Sequence, residues 1–297
     1  MVMENIVVAG GGTLGSQIAY QSAYFGKNVT VYDISDAAIA AAKEKINGWD
    51  ANYRTDMHAT DAQIKAAHDH LSFSSDLAEA VKGKELVIEA VPESLSIKES
   101  FYKQLSSVAD PATIFASNSS TMTTSELSGY TDRPDKFLNL HFANHIWIQN
   151  TAEIMVSDKT SHATEQAVEQ FAREIGMVPI VMKKEQHGYV LNAMLVPFLS
   201  SALALWGNDV AEPQTIDKTW MIATGAPRGP FAIMDEVGIP SLYTILSTSR
   251  TGNEPNGFDA GLDKLKALGD QGYAGQESGK GFYNYPNPAY ADKDFLK

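Results

Sequence analysis

Short, unbroken apolar runs alternate with amphipathic stretches through the first ~185 residues. The runs "NIVVAG" (5–10), "NVTVYD" (28–33), "ELVIEAV" (85–91) and "TIFAS" (113–117) are continuous rather than alternating and rich in β-branched residues. That pattern predicts strands buried on both faces, as in a parallel sheet. Segments 13–25, 36–49, 94–107 and 161–174 carry helical spacing between them. Strand and helix in alternation predict a doubly wound sheet. The stretch 36–70 is too long for one crossover and reads as two helices in a projecting hairpin. The run "FLNLHFANHIWIQNTAEIMV" (137–156) ends one strand at His141 and places Glu153 in a second, which the spacing pairs with the first.

The pattern changes after "GMVPIVMKKEQHG", a charge-rich linker ending at Gly188. Next comes "YVLNAMLVPFLSSALALW", apolar on every face. A helix of that kind is buried, in a core or in a subunit interface. Helical patterns without a clear strand follow to the end. The predicted division is 1–186 for an α/β domain and 187–297 for an all-helical one.

Composition narrows the function classes. A chain of 297 residues suggests about two domains. A net charge of −13 argues against a nucleic-acid partner, because little of the surface could neutralise phosphates. There is no cysteine, so disulfides, thiol catalysis and thiolate metal sites are excluded. The start "MVMENIVVAG" has no basic region of a signal peptide. No apolar stretch reaches the ~18 residues of a membrane span. The expectation is a cytoplasmic protein with no membrane partner.

The glycine pattern is the most specific signal. Gly10, Gly12 and Gly15 form G-x-G-x-x-G directly between a strand and a helix, with Thr13 and Leu14 opening the helix. In that context the three glycines serve a tight turn, close approach of backbone to a pyrophosphate, and helix–strand packing. The fold class is therefore Rossmann-type: a doubly wound, mainly parallel sheet with a second helical domain. The next strand ends in Asp33, where a carboxylate meets the adenosine ribose and repels a 2′-phosphate. No basic residue follows until Lys43, so the expected cofactor is NAD.

Ligands of such sheets lie at the carboxyl ends of the strands. Three later strand ends supply Glu93 and Lys98; Ser117, Asn118, Ser119 and Ser120; and His141 and Asn144. A carboxylate at Glu153 holding one imidazole nitrogen of His141 would leave the other free to take a substrate hydroxyl proton. His141 and His145 are four apart in a loop with no third ligand, so no metal site is expected.

These residues resemble the NAD-dependent L-3-hydroxyacyl-CoA dehydrogenases over nearly the whole chain. The resemblance runs through the glycine turn and its Ile18, Ala19, Ala23, Gly26 helix, and through E-A-x-x-E-x-L-x-x-K (Glu89 to Lys98). It continues in S-N-x-S (Ser117 to Ser120), H-F-x-N (His141 to Asn144) and the twelve-residue spacing to Glu153. The second domain adds N-x-x-L-x-P (Asn192 to Pro197), "RGPFAIMDEVG" and "GKGFYNY". It implies His141 as catalytic base with Glu153 as its partner, and Ser120 and Asn192 on the substrate. It also implies Asp33, Glu93, Lys98, Asn118, Ser120 and Asn144 on NAD, and a homodimer formed through the helical domain. The implied activity is hydride transfer between NAD and the 3-hydroxyl carbon of a 3-hydroxyacyl-CoA in fatty-acid-type metabolism.

The chain departs from the family pattern where the family is basic. The hairpin places that meet CoA fall near Trp49 and Asp56, and His145, Asn150, Ala193 and Glu277 replace other expected residues. A small free 3-hydroxy acid is therefore the alternative substrate. A dinucleotide binder without turnover would have no need of His141, Glu153 and Asn192 together.

Overall fold

The computed structural model describes residues 3–250 and 252–297. It divides into two compact units, Met1–Val190 and Leu191–Lys297. The first is built on eight strands: β1 Asn5–Ala9, β2 Asn28–Tyr32, β3 Leu71–Ser74, β4 Leu86–Glu89, β5 Ile114–Ser117, β6 Phe137–Phe142, β7 Thr151–Met155 and β8 Val178–Val181. Their order is β3-β2-β1-β4-β5-β6-β7-β8. Every pairing is parallel except that of β6 with β7. The helices of this unit are α1 Thr13–Tyr24, α2 Asp36–Asp56, α3 Asp61–Asp69, α4 Leu77–Val81, α5 Leu95–Val108, α6 Thr124–Ser128 and α7 His162–Glu174.

Successive strand residues point to opposite faces. Ile6 and Val8 accordingly join a core with Ile18 of α1, Ala42 of α2, Ile64 of α3 and Val168 of α7. Val7 and Ala9 join the opposite core with Ala80 of α4, Tyr102 of α5 and Leu127 of α6. Burial on both faces explains why the central strands are continuous apolar runs. The order of strands reverses between β1 and β4, which places the glycine turn after β1 at the switch point where such sheets bind ligands.

The hairpin is two helices, α2 and α3. Thr60 starts α3 with a capping box, its hydroxyl accepting from the Gln63 N–H while the Gln63 side chain accepts from Thr60 N–H. Aromatic rings seat the hairpin on α1: Tyr20 and Tyr53 meet edge-on at 4.6 Å, and Tyr20 donates to Asp50 at 2.7 Å.

Two strands differ from the sequence expectation. Spacing alone left 71–74 unassigned and put 178–181 in the charged linker. Both are edge strands that are half-exposed, so neither carries a continuous apolar run. The apolar run at 85–91 also ends early as a strand, at Glu89, whose side chain turns inward.

The second unit contains α8 Leu191–Gly207, α9 Pro213–Thr224, α10 Pro230–Val237, α11 Ile239–Thr248 and α12 Phe258–Asp270. One side of α8 buries Leu199, Ala202 and Leu203 against Phe231, Leu262 and Leu265. Met194 and Leu205 of the same helix stand exposed, so this all-apolar helix is only half covered within the chain. No helix of the described residues is long and apolar enough to cross a membrane.

Two buried aspartates organise this unit. Asp217 of α9 accepts from the Phe231 and Ala232 N–H groups at 2.8 and 2.9 Å, capping α10, and from the Tyr283 hydroxyl at 2.8 Å. Asp235 accepts from Phe282 and Tyr283 N–H groups at 2.8 and 2.9 Å. Burial pushes the Asp217 carboxyl up to about 6, against the pull of its three donors. The folded state thus holds a proton near pH 5 that the unfolded chain has released. Stability from this group grows as pH falls through 6 and is lost as pH rises past it. In urea titrations the wild type is expected to gain about 1 kcal/mol relative to Asp217→Asn between pH 7 and pH 5. A pH-independent difference between the two proteins would contradict this.

Candidate active site

The glycine turn leaves its backbone little choice of residue. Gly10 has φ +105°, and a Cβ there would overlap the Ala90 carbonyl oxygen. A Cβ on Gly15 would overlap the carbonyl oxygen of Gly10. Gly12 has nothing within 4 Å of its Cβ position, so the outer rim of the turn is open. Gly12 is also the N-cap of α1, and no side chain caps that helix. Beside it stand Thr13, exposed, and Leu14, half-buried. The first-turn N–H groups therefore lack a side-chain acceptor, the arrangement that receives a phosphate. Asp33 reaches back across the turn. Its Oδ2 accepts from the Gly11 N–H and its Oδ1 from the Ile34 N–H, both at 2.8 Å. Each oxygen keeps a lone pair for a ribose hydroxyl. An uncapped helix start, a glycine rim and a carboxylate at the next strand end fit a dinucleotide.

A buried ion cluster lies at the end of β4. Glu89 is fully buried, and its Oε1 meets Lys98 Nζ of α5 at 2.6 Å. Its Oε2 accepts from the hydroxyls of Tyr102 and Ser117 at 2.9 and 2.7 Å. Lys98, only 1% exposed, faces a second carboxylate, Glu93, at 3.2 Å. Glu93 Oε1 accepts from the Ser119 hydroxyl at 2.5 Å, from the Ser120 and Thr121 N–H groups at 3.0 Å, and from the Thr121 hydroxyl at 2.7 Å. Burial opposes the charge on Glu93, but Lys98 and the Ser119 and Thr121 donors outweigh it and hold its carboxyl below the usual range. Glu93 and Lys98 thus pin the turn after β5 to the start of α5. Asn118 Oδ1 accepts from the Phe142 N–H at 3.0 Å, joining that turn to β6. Asn144 stands exposed in the turn that follows β6.

His141 and Glu153 are direct partners in the antiparallel β6–β7 ladder. His141 Nδ1 lies 3.0 Å from Glu153 Oε2, and His141 Nε2 lies 3.1 Å from Ser120 Oγ. The imidazole and its carboxylate are 4% and 3% exposed, while Ser120 is half-buried. The three form a line from a buried carboxylate outward to a hydroxyl. Asn192 sits in the first turn of α8, half-buried, in the second unit.

The loop after β6 and the hairpin are joined by aromatic residues. Trp147 Nε1 donates to Asp56 Oδ2 at 2.7 Å, and Trp49 Nε1 donates to Ser16 Oγ at 3.1 Å. The two indoles lie 5.4 Å apart. His145, at φ +58°, donates its N–H to Gln17 Oε1 at 2.8 Å. Both hairpin positions that depart from the family pattern are therefore engaged in packing the hairpin against α1 and the loop after β6.

Sequence reasoning left two residues of this site without a role. Glu89 had a legible signal, since a carboxylate inside an apolar strand needs a cation. Tyr189, whose ring stacks on His141 with centroids 4.3 Å apart, had none, because it follows a linker distant in sequence.

The family model for the NAD-binding domain of 3-hydroxyacyl-CoA dehydrogenase matches residues 5–186, and that for the C-terminal domain matches 188–285. The chain is 29% identical over 285 residues to a probable 3-hydroxybutyryl-CoA dehydrogenase of Bacillus subtilis, covering 96% of this chain and 98% of that one. It is 28% identical over 290 residues to the human mitochondrial hydroxyacyl-coenzyme A dehydrogenase, covering 96% and 92%. A solved structure of a diketoreductase, described as acting on dicarbonyl compounds, is 48% identical with a TM-score of 0.90, covering 96% and 100%.

Replacing Asp33 tests the cofactor cradle. Asp33→Ala is expected to weaken NAD binding by roughly 1.5–3 kcal/mol in calorimetry, the range for losing hydrogen bonds to a charged group. The wild type is expected to bind NAD far more tightly than NADP, and equal affinities would remove Asp33 from this role.

Proposed function

The chain belongs to the 3-hydroxyacyl-CoA dehydrogenase family, and on that premise we propose that His141 is its catalytic base in NAD-dependent oxidation at C3 of a 3-hydroxyacyl group. The observation that carries this reading is the Glu153–His141–Ser120 line, with contacts of 3.0 and 3.1 Å. NAD, held on the glycine turn, supplies the hydride acceptor. His141 Nε2 takes the hydroxyl proton as the C3–H electron pair departs and the C3–O bond becomes a carbonyl. Ser120 holds the substrate oxygen at Nε2. Glu153 stays ionised and stabilises the imidazolium, the orienting role of a triad carboxylate without a nucleophile. Reduction of the 3-oxo compound runs the same steps backward.

The family and the names of the relatives support a CoA thioester as the substrate. A second reading, a small free 3-hydroxy or 3-oxo compound, is favoured by Trp49 and Asp56, which occupy the hairpin with packing contacts and an acidic charge. Likeness to the diketoreductase supports it as well. A homodimer through the second unit is consistent with the exposed Met194, Trp220 and Ile222.

His141→Ala is expected to lower kcat by ~10²–10⁴-fold, the usual contribution of a positioned base, with NAD affinity nearly unchanged. Glu153→Gln also loses rate, and the double variant is little worse than the worse single one. Alcohol oxidation needs the neutral imidazole, so its rate rises with pH. Wild-type turnover by His141→Ala would sink the mechanism.

The carrier is tested with matched thioesters. 3-Hydroxybutyryl-CoA and its pantetheine counterpart are expected to differ in kcat/KM by less than about tenfold, since exposed charge pairs contribute ~0–1 kcal/mol. A hundredfold preference for CoA would establish a nucleotide site. Turnover of a free 3-hydroxy acid with both thioesters inert would select the second reading.

A further inference from the structure

Tyr189 closes the face of His141 that neither Glu153 nor Ser120 touches. Its ring lies 4.3 Å from the imidazole, centroid to centroid, with the planes 12° apart. The residue is 1% exposed. Its hydroxyl donates to the Ser119 carbonyl oxygen at 2.5 Å and accepts from Asn139 Nδ2 at 2.9 Å. Asn139 lies two residues before His141 on β6, and Ser119 directly precedes Ser120. Tyr189 is thus fastened to the two elements that carry His141 and Ser120. Burial raises the phenol above its ordinary range, so it stays neutral and keeps its proton to donate. The next residue adds a second hold. The Val190 N–H donates to Glu153 Oε1 at 2.9 Å, on the oxygen that does not face His141.

Contacts at Nδ1 and Nε2 act within the plane of the imidazole and resist its tilting only weakly. The χ2 torsion of a histidine is broad and adds little restraint against that tilt. A flat partner parallel to the ring supplies it. A π face within about 6 Å of a cation also attracts it. We propose that Tyr189 is a positioning residue for hydride transfer, its ring setting the plane of the His141 imidazole and favouring the imidazolium that forms when the proton is taken. This inference rests on the reading of His141 as base. Glu153 on β7 is the charged group in contact with His141, and the Glu89–Lys98–Glu93 cluster at the neighbouring strand end is left intact in every variant below.

The test compares Tyr189→Phe, Tyr189→Leu and Tyr189→Met with the wild type and with His141→Ala. Melting temperatures of all five proteins identify any variant that fails to fold. Steady-state kinetics use NAD with 3-hydroxybutyryl-CoA, and NMR follows the His141 ring through a pH titration independently of turnover. Leu and Met keep bulk and lose the π face. Either is expected to lose kcat by roughly tenfold, a part of the ~10²–10⁴-fold that a positioned base supplies, with KM for NAD unchanged. In both, the acid limb of the rate profile and the His141 titration move to lower pH. Phe keeps the stack and is expected to restore the wild-type profile. A Leu or Met variant that folds with wild-type kcat and an unmoved His141 titration would overturn the proposal. So would Phe falling as far as Leu with no movement in pH, since the phenol would then be structural alone. An active His141→Ala would instead overturn the reading of the base, while the NMR titration would still decide whether Tyr189 acts on the ring.

Discussion

The antiparallel pairing of β6 with β7 is the constraint on which the candidate site depends. In an otherwise parallel sheet this single reversal places His141 directly opposite Glu153. Side chains of directly opposed residues meet on one face, and a slip of one residue would send one of the two through the sheet. The dyad is therefore a property of register and not of local conformation. Leu140 and Phe142, on either side of His141, are core residues that hold the register from the opposite face. Because the pair is buried, the attraction between carboxylate and imidazolium is screened far less than at a surface.

The second organising feature is how a chain of net charge −13 arranges a site for an anionic cofactor. The pyrophosphate end offers backbone N–H groups and an uncapped helix start, and α1 contains no basic side chain. Lys98 lies between Glu89 and Glu93 and is buried. It thus serves to order the turns that carry Ser119, Ser120 and Thr121. A buried carboxylate without its cation is strongly destabilising, so Glu89 and Lys98 act as a structural pair. The hairpin follows the same logic. Where a basic surface would meet a nucleotide, Trp49, Tyr53 and Trp147 pack together and Asp56 accepts the indole proton of Trp147.

The elements that were easy to read were those whose burial is uniform. β1, β2, β4 and β5 lie between two helical layers and keep continuous apolar sequences. β3 and β8 were missed because an edge strand needs no such run; its hydrogen bonds come from one neighbour, and its side chains are half in solvent. The helix α8 shows the opposite difficulty. Its sequence is apolar all round, yet only one side is buried within the chain, and composition does not distinguish the covered side from the bare one.

By itself the sequence determined the class of fold, the glycine turn with Asp33 at the next strand end, and the residue types that could pass a proton. These are local properties: periodicity sets the element, and a glycine pattern sets a backbone that no side chain could follow. Tertiary structure decided the rest. It gave Lys98 a second carboxylate besides Glu93, because Glu89 turns inward at the point where β4 ends. It brought Tyr189 from beyond a linker to the face of His141, a contact that no spacing encodes. It also committed Trp49 and Asp56 to packing. Each of these outcomes depends on buried groups finding partners across the chain, and the requirement that a buried polar atom be satisfied acts in space rather than along the sequence.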